Sequence, residues 1–319
     1  MFVKGFDQLS KEMFEECGGK AAHLGELTGL KLRVPAGFSV LGHAYCHHLD
    51  ANNLRQRVNA VAATIDFDDF EGLEEKTRQI RELITSAPMP REIEEEIIEN
   101  YRSLSGNGDS FVAVRSSVAV RDSSVSSFPG MMDTFHYIKG AASVVEKVKE
   151  CWASVWSARA AFARHAKGLD HEKAVIAPTI QLMVNSEVAG VLFTVNPITG
   201  SKDEIVIESN WGLGETVVCG RCLSDLYIAS KKPVVVKVKR IAQKTETYVQ
   251  AERGGAQWEQ VEPEKVSRAT LTDQQVEELC RTACLIEEHY GCHQDIEWAY
   301  EKGSLYVLQA RRARAGGES

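Results

Sequence analysis

The chain has 319 residues, 44% of them hydrophobic, which is enough for a sizeable core in two domains or in one domain with two lobes. Its 37 basic and 45 acidic residues give a net charge of −8 without a polybasic run, so neither nucleic acid nor an anionic membrane is expected as a partner. Eight dispersed cysteines, no signal-peptide run and no apolar stretch of membrane-spanning length predict a cytoplasmic protein with reduced thiols.

Helices dominate the first part of the chain. Apolar residues at helical spacing, or a glycine pair before a lysine, indicate helices over residues 20–27, 54–65, 71–85, 91–104 and 141–166. Trp152 and Trp156 lie one turn apart in the last of these and are expected in the core. A short β-branched run over residues 111–114 predicts a strand that leads into Arg115.

The pattern changes to strands after Pro178. Short apolar or alternating runs separated by turn residues predict strands over residues 179–184, 190–195, 204–208, 223–229 and 234–241. A helix that is capped near Thr272 and ends at Gly291 follows them. We therefore expect an α+β chain with a helix-rich first lobe and a mixed second lobe, and a ligand cleft between them.

Polar residues occupy alternate positions of the last two predicted strands. Asp295 and Glu297 lie on the first strand, and Gln309 and Arg311 follow at the same period of two on the second. Side chains two residues apart share one face of a strand, so a carboxylate, an amide oxygen and a guanidinium would lie together. Mg²⁺ prefers oxygen ligands plus substrate phosphates, and an adjacent cation stabilises a migrating phosphoryl group. This pattern predicts a phosphoryl-transfer site.

Four further segments are suited to a phosphate ligand, and each also has an ordinary structural explanation. Gly18-Gly19-Lys20 allows an anion to approach a helix start, although it lacks the pattern of a P-loop and such runs are usually plain loops. Arg115-Ser116-Ser117 suits a buried polar site or a surface ion pair. Residues 126–134 are suited to wrapping phosphates with backbone N–H groups, or form a surface turn. Residues 211–215 either shape a cleft or only reverse the chain.

Taken in order, these stretches resemble the nucleotide-binding, ATP-grasp domain of the pyruvate, phosphate dikinase and phosphoenolpyruvate synthase family. The resemblance is carried by residues 18–27, 34–38, 113–117 (Ala-Val-Arg-Ser-Ser), 128–134 (Phe-Pro-Gly-Met-Met-Asp-Thr), 181–184, 189–197, 212–215 (Gly-Leu-Gly-Glu), 295–299 (Asp-Ile-Glu-Trp-Ala) and 308–311 (Leu-Gln-Ala-Arg). It covers nearly the whole chain. It implies an α+β ATP-grasp fold with an N-terminal lobe over residues 1–187, a C-terminal lobe over 188–312 and a flexible tail over 313–319.

The resemblance also implies which residues hold the phosphates. Lys20 and Arg115 would grip the phosphates of ATP and, together with Arg311, would form the catalytic group. The loop over the phosphates would contribute Gly130, Met131, Asp133 and Thr134.

The remaining implied roles concern the nucleoside and the metal. The adenine pocket would be lined by Gln181, Met183 and Val184, and the ribose hydroxyls would contact Glu187. Glu297 and Gln309 would bind Mg²⁺, and Arg311 would stabilise the transferred phosphoryl group. Two residues depart from the family pattern near the implied cleft: Arg121 replaces a frequent acidic residue, and Arg312 replaces a frequent proline.

Family members continue into a swivelling domain in which a glycine-rich motif carries a phosphorylated histidine, and no such motif occurs in this chain. The resemblance therefore implies a dikinase-type phosphotransferase, either an excised domain or a subunit that needs a partner. It would bind Mg-ATP and pass the β-phosphoryl group to a histidine on that partner domain or chain, giving AMP and Pi. The partner would bind the final acceptor, phenol as in phenylphosphate synthase or pyruvate. The alternatives are a non-catalytic nucleotide-sensing module of the same fold and a self-contained kinase.

Two other patterns are better explained by structure than by chemistry. His43 and His47 have the i, i+4 spacing of zinc ligands, but no carboxylate base accompanies them in the sequence. Cys219 and Cys222 have the spacing of a redox motif, but no second such pair and no thioredoxin-like pattern surrounds them. Buried free thiols are the favoured interpretation of the two cysteines.

Overall fold

The structure is a computed structural model that describes residues 1–106, 109–119, 133–252 and 254–313. The chain forms two compact units, the first of residues 1–26 and 36–183 and the second of residues 27–35 and 184–319. Both units combine helices with an antiparallel sheet, so the expected α+β class is confirmed. No helix in the described ranges is long and apolar enough to cross a membrane.

Where the structure describes it, the first part of the chain contains five strands and a series of helices. The strands are β1 (Val3–Gly5), β2 (Gly37–Val40), β3 (Val112–Arg115), β4 (Thr134–Ile138) and β5 (Thr179–Leu182). The helices are α1 (Phe14–Gly29), α2 (Gly42–Ala51), α3 (Leu54–Ala62), α4 (Phe70–Ser86), α5 (Arg91–Ser105), α6 (Ala141–Ser154) and α7 (Ala158–Ala166), with 3₁₀ turns at Phe6–Gln8, Lys11–Met13 and His171–Lys173.

The prediction of one helix over residues 141–166 is wrong, because the chain forms two helices there. α6 ends at Ser154, and Ser157 caps α7 by accepting a hydrogen bond at its side-chain oxygen from the backbone N–H of Ala160. A serine in extended conformation that satisfies a free helical N–H starts a new helix. Trp152 and Trp156 are 0% and 3% exposed, so their predicted place in the core is confirmed.

The strands of the first unit are ordered β1-β2-β5-β3-β4. Phe38, Val114 and Ile180 lie opposite one another on the three central strands and join a large apolar core. Side chains alternate between the two faces of a sheet, so Arg115 and Gln181 lie on the other face. The sheet therefore has one apolar face packed on the core and one face that carries polar side chains.

A buried arginine, Arg164 of α7, lies against His171. Arg164 is 3% exposed and donates hydrogen bonds from Nη1 to the carbonyl of Val155 (2.6 Å) and from Nε to Nδ1 of His171 (3.1 Å). Its guanidinium also lies 5.2 Å from the ring centroid of Trp156. Because Nδ1 accepts this hydrogen bond, the imidazole of His171 is neutral. Burial, followed by the adjacent charge of Arg164, lowers the pKa of His171 to about 4.

We expect this histidine to make the fold sensitive to acid. The pKa of His171 is about 4 in the folded chain against 6.5 for the free group, so the unfolded chain takes up a proton first. The stability that His171 contributes is fully present above pH 6.5 and is lost as the pH falls towards 4. Thermal melts of the wild type and of His171→Gln, whose amide oxygen still accepts from Arg164, should show the smaller acid-induced fall in the variant. Equal falls would show that His171 is not the responsible group.

Over its described residues after 183, the second unit contains a six-stranded antiparallel sheet, a separate hairpin and three helices. The sheet has the order β13-β12-β6-β7-β8-β9. Its strands are β6 (Val188–Phe193), β7 (Glu204–Trp211), β8 (Asp225–Lys231), β9 (Val234–Arg240), β12 (Gln294–Glu301) and β13 (Ser304–Arg312). The hairpin is β10 (Glu246–Gln250) with β11 (Ala256–Gln260), and the helices are α8 (Glu215–Val218), α9 (Pro263–Val266) and α10 (Asp273–Tyr290). The predicted ends of the last helix are confirmed, since Thr272 caps α10 and Gly291 terminates it at a φ of 64°.

A fully buried ion pair joins β8 to the segment that precedes the hairpin. Asp225 and Lys244 are both 0% exposed, and Nζ of Lys244 lies 2.7 Å from Oδ1 of Asp225. The backbone N–H of Ala242 also donates to Oδ1, at 2.9 Å, and Thr270 donates to Oδ2 from its backbone N–H at 2.8 Å and from its hydroxyl at 2.9 Å. Each oxygen of this buried carboxylate therefore has two donors.

Candidate functional site

Lys20 lies at a helix start, as the glycine pair predicted. Gly18 has non-helical backbone angles (φ 72°, ψ 166°) inside α1, so the regular helix resumes immediately after it. The backbone N–H of Lys20 donates to Oγ of Ser117 (3.1 Å), and its Nζ donates to the carbonyl oxygen of Ser116 (2.6 Å). Lys20 is therefore attached to the segment that directly follows Arg115.

Arg115 ends strand β3 on the polar face of the first sheet. It lies opposite Thr134 of β4 and Thr179 of β5, and its Nη1 donates to Oε1 of Gln181 at 3.4 Å. Gln181 is 3% exposed, and its Nε2, like Oγ1 of the fully buried Thr179, has no hydrogen-bond partner among the described residues. Buried polar atoms are nearly always paired, so a ligand bound on this face would have a donor and a hydroxyl available beside Arg115.

The predicted phosphate loop is described only at its C-terminal end. Gly130 and Met131 lie outside the described residues, as does Arg121. Asp133 is exposed, and its carbonyl oxygen accepts a hydrogen bond from the backbone N–H of Ser116 (3.3 Å). Thr134 is exposed at the start of β4, directly opposite Arg115. The described end of the loop is therefore adjacent to the residues that position Lys20.

The residues predicted to line the adenine pocket belong to both units. Gln181 and Met183 lie in the first unit, where the backbone N–H of Met183 donates to the carbonyl of Phe111 (2.9 Å). Gln181 was predicted to contact the adenine base, and in the structure its amide oxygen accepts a hydrogen bond from Arg115. Its role towards adenine stays a prediction.

Val184 and Glu187 lie in the second unit. Val184 is 7% exposed and packs in a small apolar cluster that also contacts Leu308, the residue before Gln309. Glu187 is exposed, and its backbone carbonyl accepts from the N–H of Gly212 (3.1 Å), so it adjoins the glycine-rich turn over residues 212–215. The contact of Glu187 with the ribose stays a prediction.

Strands β12 and β13 bring together the polar residues of the last segment. Glu297 lies opposite Gln309, and Asp295 lies opposite Arg311, so all four share one face as the period of two predicted. A β-bulge follows Glu297, where the register of the two strands shifts. Gln309 is 6% exposed and Glu297 is half-buried.

Asp295 holds the guanidinium of Arg311, a contact to which the sequence analysis assigned no separate role. Both Nε and Nη2 of Arg311 lie 2.7 Å from Oδ2 of Asp295. Burial raises the pKa of Asp295, which is only 8% exposed, while the charge of Arg311 opposes that rise and Glu297 adds to it. The side chain of Arg311 remains 50% exposed, so the pair fixes a cation that is still open to a ligand. The signal for Asp295 was present in the sequence, because it lies two residues before Glu297 on the same face.

The donor set of this face suits Mg²⁺ that arrives with phosphates. Within the described ranges no group of three or more histidine, cysteine, aspartate or glutamate side chains is arranged to hold a metal by itself. Glu297 offers a carboxylate and Gln309 an amide oxygen on adjacent strands. Mg²⁺ is commonly held by one or two protein carboxylates with the remaining positions filled by substrate phosphates and water. The residues therefore fit a metal that is shared with a nucleotide.

The histidines with zinc-like spacing are occupied by packing contacts. His43 lies against the backbone carbonyl of Met1 (3.0 Å), and His47 lies 2.6 Å from a carboxylate oxygen of Glu92 on α5. Both imidazole rings also lie 5.2 Å from the ring of Phe2, measured between centroids. These contacts anchor the start of the chain to α2.

The expectation that Cys219 and Cys222 are buried is wrong. Cys219 is exposed and Cys222 is half-buried, in the turn that follows the short helix α8. Four helical residues and a glycine-containing turn provide too little packing surface to cover a side chain at this position.

Comparisons with known proteins match nearly the whole chain to one family of proteins. Residues 14–319 match the family model described as "Pyruvate phosphate dikinase, AMP/ATP-binding domain". The chain is 41% identical to a probable phosphoenolpyruvate synthase of Methanocaldococcus jannaschii over 97% of its length, which is 26% of the relative. It is 39% identical to the phosphoenolpyruvate synthase of Pyrococcus furiosus over 97% of its length, 43% of the relative. A probable phosphoenolpyruvate synthase of Methanothermobacter thermautotrophicus is 38% identical over the whole chain, 47% of the relative. The chain thus spans less than half the length of these relatives.

Proposed function

Because the chain belongs to the pyruvate phosphate dikinase AMP/ATP-binding domain family, an ATP-grasp family, we propose that it binds Mg-ATP and transfers the β-phosphoryl group to a histidine of a swivelling domain. That domain would be carried by a partner chain or by another part of a larger protein. The products would be AMP, Pi and the phosphorylated histidine. The names of the relatives favour pyruvate as the final acceptor, with phosphoenolpyruvate as product. Phenol is the alternative acceptor.

One observation carries this proposal: the face of β12 and β13 on which a carboxylate, an amide oxygen and an anchored arginine lie together. Glu297 opposite Gln309 supplies oxygen ligands, and Asp295 holds Arg311 in a fixed position. Phosphoryl transfer is catalysed chiefly by positioning and by stabilising charge on the transferred group. A metal-type donor pair next to a preset cation supplies both effects.

The first unit contributes the second group of residues that the reaction requires. Lys20 and Arg115 are joined through the Arg-Ser-Ser segment, because Lys20 donates hydrogen bonds to Ser116 and Ser117, which directly follow Arg115. We assign these two cations to the γ-phosphate, which leaves as Pi, and to the α-phosphate, which stays with AMP. Gln181, which accepts from Arg115, would orient that guanidinium.

The proposed reaction balances as follows for this chain and its partner. The bond between the β-phosphorus and the oxygen that bridges it to the α-phosphate breaks, and a bond from the β-phosphorus to a histidine nitrogen forms. Water attacks the γ-phosphorus, the bond from that phosphorus to the oxygen that bridges it to the β-phosphate breaks, and the γ-phosphate leaves as Pi. If inorganic phosphate attacks in place of water, the product is pyrophosphate. Mg²⁺ bound with the nucleotide would neutralise part of the phosphate charge.

We expect the carboxylate of Glu297 to set the metal requirement. Glu297→Gln keeps the size of the side chain but removes its charge, so Mg²⁺-dependent ATP binding should need about tenfold more Mg²⁺ or higher. The measurement is calorimetric binding of a non-hydrolysable ATP analogue at a series of Mg²⁺ concentrations. Glu301→Gln, at the far end of the same strand and opposite Ser304, is the matched control and should leave the curve unchanged. An unchanged curve for Glu297→Gln would remove this residue from the metal site.

The alternative of a nucleotide-sensing module makes a different prediction. A sensor binds ATP and forms no AMP, whatever partner is added. The paired Asp295 and Arg311 favour the enzyme, because a sensor that only has to recognise ATP does not require a preset cation at the position of transfer. Incubation with ATP labelled in the adenine ring, with and without a phosphohistidine-type domain, separates the two functions.

A further inference from the structure

From the contacts between two distant segments, we infer that Ser117 is a positioning residue for Lys20. This inference rests on the proposed function, since it concerns how the chain presents Lys20 to phosphates. Ser117 lies 97 positions after Lys20 in the chain, and its hydroxyl oxygen accepts the backbone N–H of Lys20 at 3.1 Å. It therefore caps the resumed helix of α1 from outside that helix.

The N-terminus of the resumed helix of α1 requires a cap. The first N–H groups of a helix have no partner within it and are satisfied by capping side chains. A cap normally comes from the residue just before the helix, but that position is held by Gly18, which has no side chain to offer. Ser117 supplies the missing acceptor.

Gly18 leaves open the space into which the side chain of Ser117 fits. A Cβ added to Gly18 would lie 2.3 Å from Oγ of Ser117 and 2.9 Å from both its Cβ and the carbonyl oxygen of Val118. The positive φ of 72° adds strain for any other residue. Only glycine therefore allows Ser117 to approach the helix closely enough to accept the N–H of Lys20.

Ser117 is itself held in place by burial and by a backbone hydrogen bond. Ser117 is 2% exposed, and its carbonyl accepts the N–H of Ala177 at 2.8 Å. One residue later, Val118 forms a bridge with Ile176. The segment is thus fastened to the residues that lead into β5 by contacts that do not involve Lys20.

The same segment also holds the side chain of Lys20. Nζ of Lys20 donates to the carbonyl of Ser116 at 2.6 Å, and Ser116 follows Arg115 directly. The Arg-Ser-Ser run therefore provides one phosphate-binding cation and two anchors of the other. This answers why a buried strand ends in an arginine followed by two serines.

The test is a double-mutant cycle on ATP affinity, measured by calorimetry on the full chain. Ser117→Ala should weaken binding of the complex of Mg²⁺ with a non-hydrolysable ATP analogue by about tenfold. This is the fold-change in affinity that corresponds to the free energy of one helix cap. Binding of AMP should change less, because Lys20 acts on the phosphates that AMP lacks. In a Lys20→Met background, Ser117→Ala should have no further effect on ATP affinity.

A matched control separates positioning from simple loss of stability. Ser154 is equally buried at 2% exposed, and its hydroxyl donates to the carbonyl of Cys151 at 2.7 Å on α6. Ser154→Ala should lower the melting temperature without changing ATP affinity. Gly18→Ala, which displaces Ser117 by collision, should weaken ATP binding as Ser117→Ala does.

Each other outcome overturns a defined part of the account. Additive effects of Ser117→Ala and Lys20→Met on ATP affinity, or equal losses for AMP and ATP, would show that Ser117 does not act through Lys20. If the wild type binds ATP and Ser117→Ala binds it with the same affinity, the inference about Ser117 is wrong and the proposed function stands. A wild type that does not bind ATP would overturn both.

Discussion

Replacement of Arg311 by alanine should lower partner-dependent AMP formation by about 10³-fold or more, the effect expected when a cation at a transferred phosphoryl group is lost. Arg311 is the residue on the β12–β13 face that combines a fixed position with a half-exposed guanidinium. A cation that is preset for the transition state contributes mainly to the rate of transfer and less to ground-state binding. Binding of ATP should therefore fall much less than turnover.

Lost activity in Arg311→Ala must be distinguished from a folding defect, because removal of the arginine leaves Asp295 buried without its partner. Thermal melts and analogue binding of Arg311→Ala report on this directly. Arg311→Lys retains the charge without the two-nitrogen contact and should recover part of the rate. Arg312→Ala, which removes the exposed neighbouring arginine, serves as the control and should retain most of the activity. A folded Arg311→Ala protein that forms AMP at the normal rate would exclude Arg311 from the reaction.

The second large effect is expected on stability. Lys244→Met should lower the free energy of unfolding by about 3–5 kcal/mol, because it leaves the carboxylate of Asp225 buried without a counter-charge. Both groups are 0% exposed, and the remaining donors to that carboxylate come from Ala242 and Thr270. Removing one partner of a buried pair is far more harmful than removing both.

Urea denaturation measured on the wild type and the variant gives this difference. Lys239→Met is the matched control: it breaks an exposed ion pair with Asp273, at 2.8 Å, and should change stability by less than about 1 kcal/mol. A similarly small change for Lys244→Met would mean that the buried pair contributes little to folding. The double replacement of Lys244 by Met and Asp225 by Asn should recover part of the loss.

Local patterns in the sequence predicted the parts of the site that depend on neighbouring residues. The period of two placed Asp295, Glu297, Gln309 and Arg311 on one face, since alternation is a property of a single strand. The glycine pair likewise placed Lys20 at a helix start. The family resemblance then supplied the chemistry that these positions were expected to perform, and the family itself is confirmed.

Contacts between distant segments could not be predicted in this way. The hydrogen bond from Lys20 to Ser117 spans 97 positions and that from Arg115 to Gln181 spans 66. Neither leaves a periodic trace in the sequence, because the register of the strands and the packing of α1 determine them. The exposure of Cys219 was misjudged for the same reason, since burial depends on which elements cover a side chain.

The central claim is that this chain moves the β-phosphoryl group of ATP to a histidine on a partner. Phosphorus NMR of the products formed from Mg-ATP, with and without a swivelling domain that carries a phosphorylatable histidine, tests it most directly, and pyruvate or phenol added afterwards identifies the acceptor. We expect AMP and Pi, with a phosphohistidine signal that appears only when the partner is present and disappears when the correct acceptor is added. ADP as the only nucleotide product, or ATP left intact in both mixtures, would contradict it.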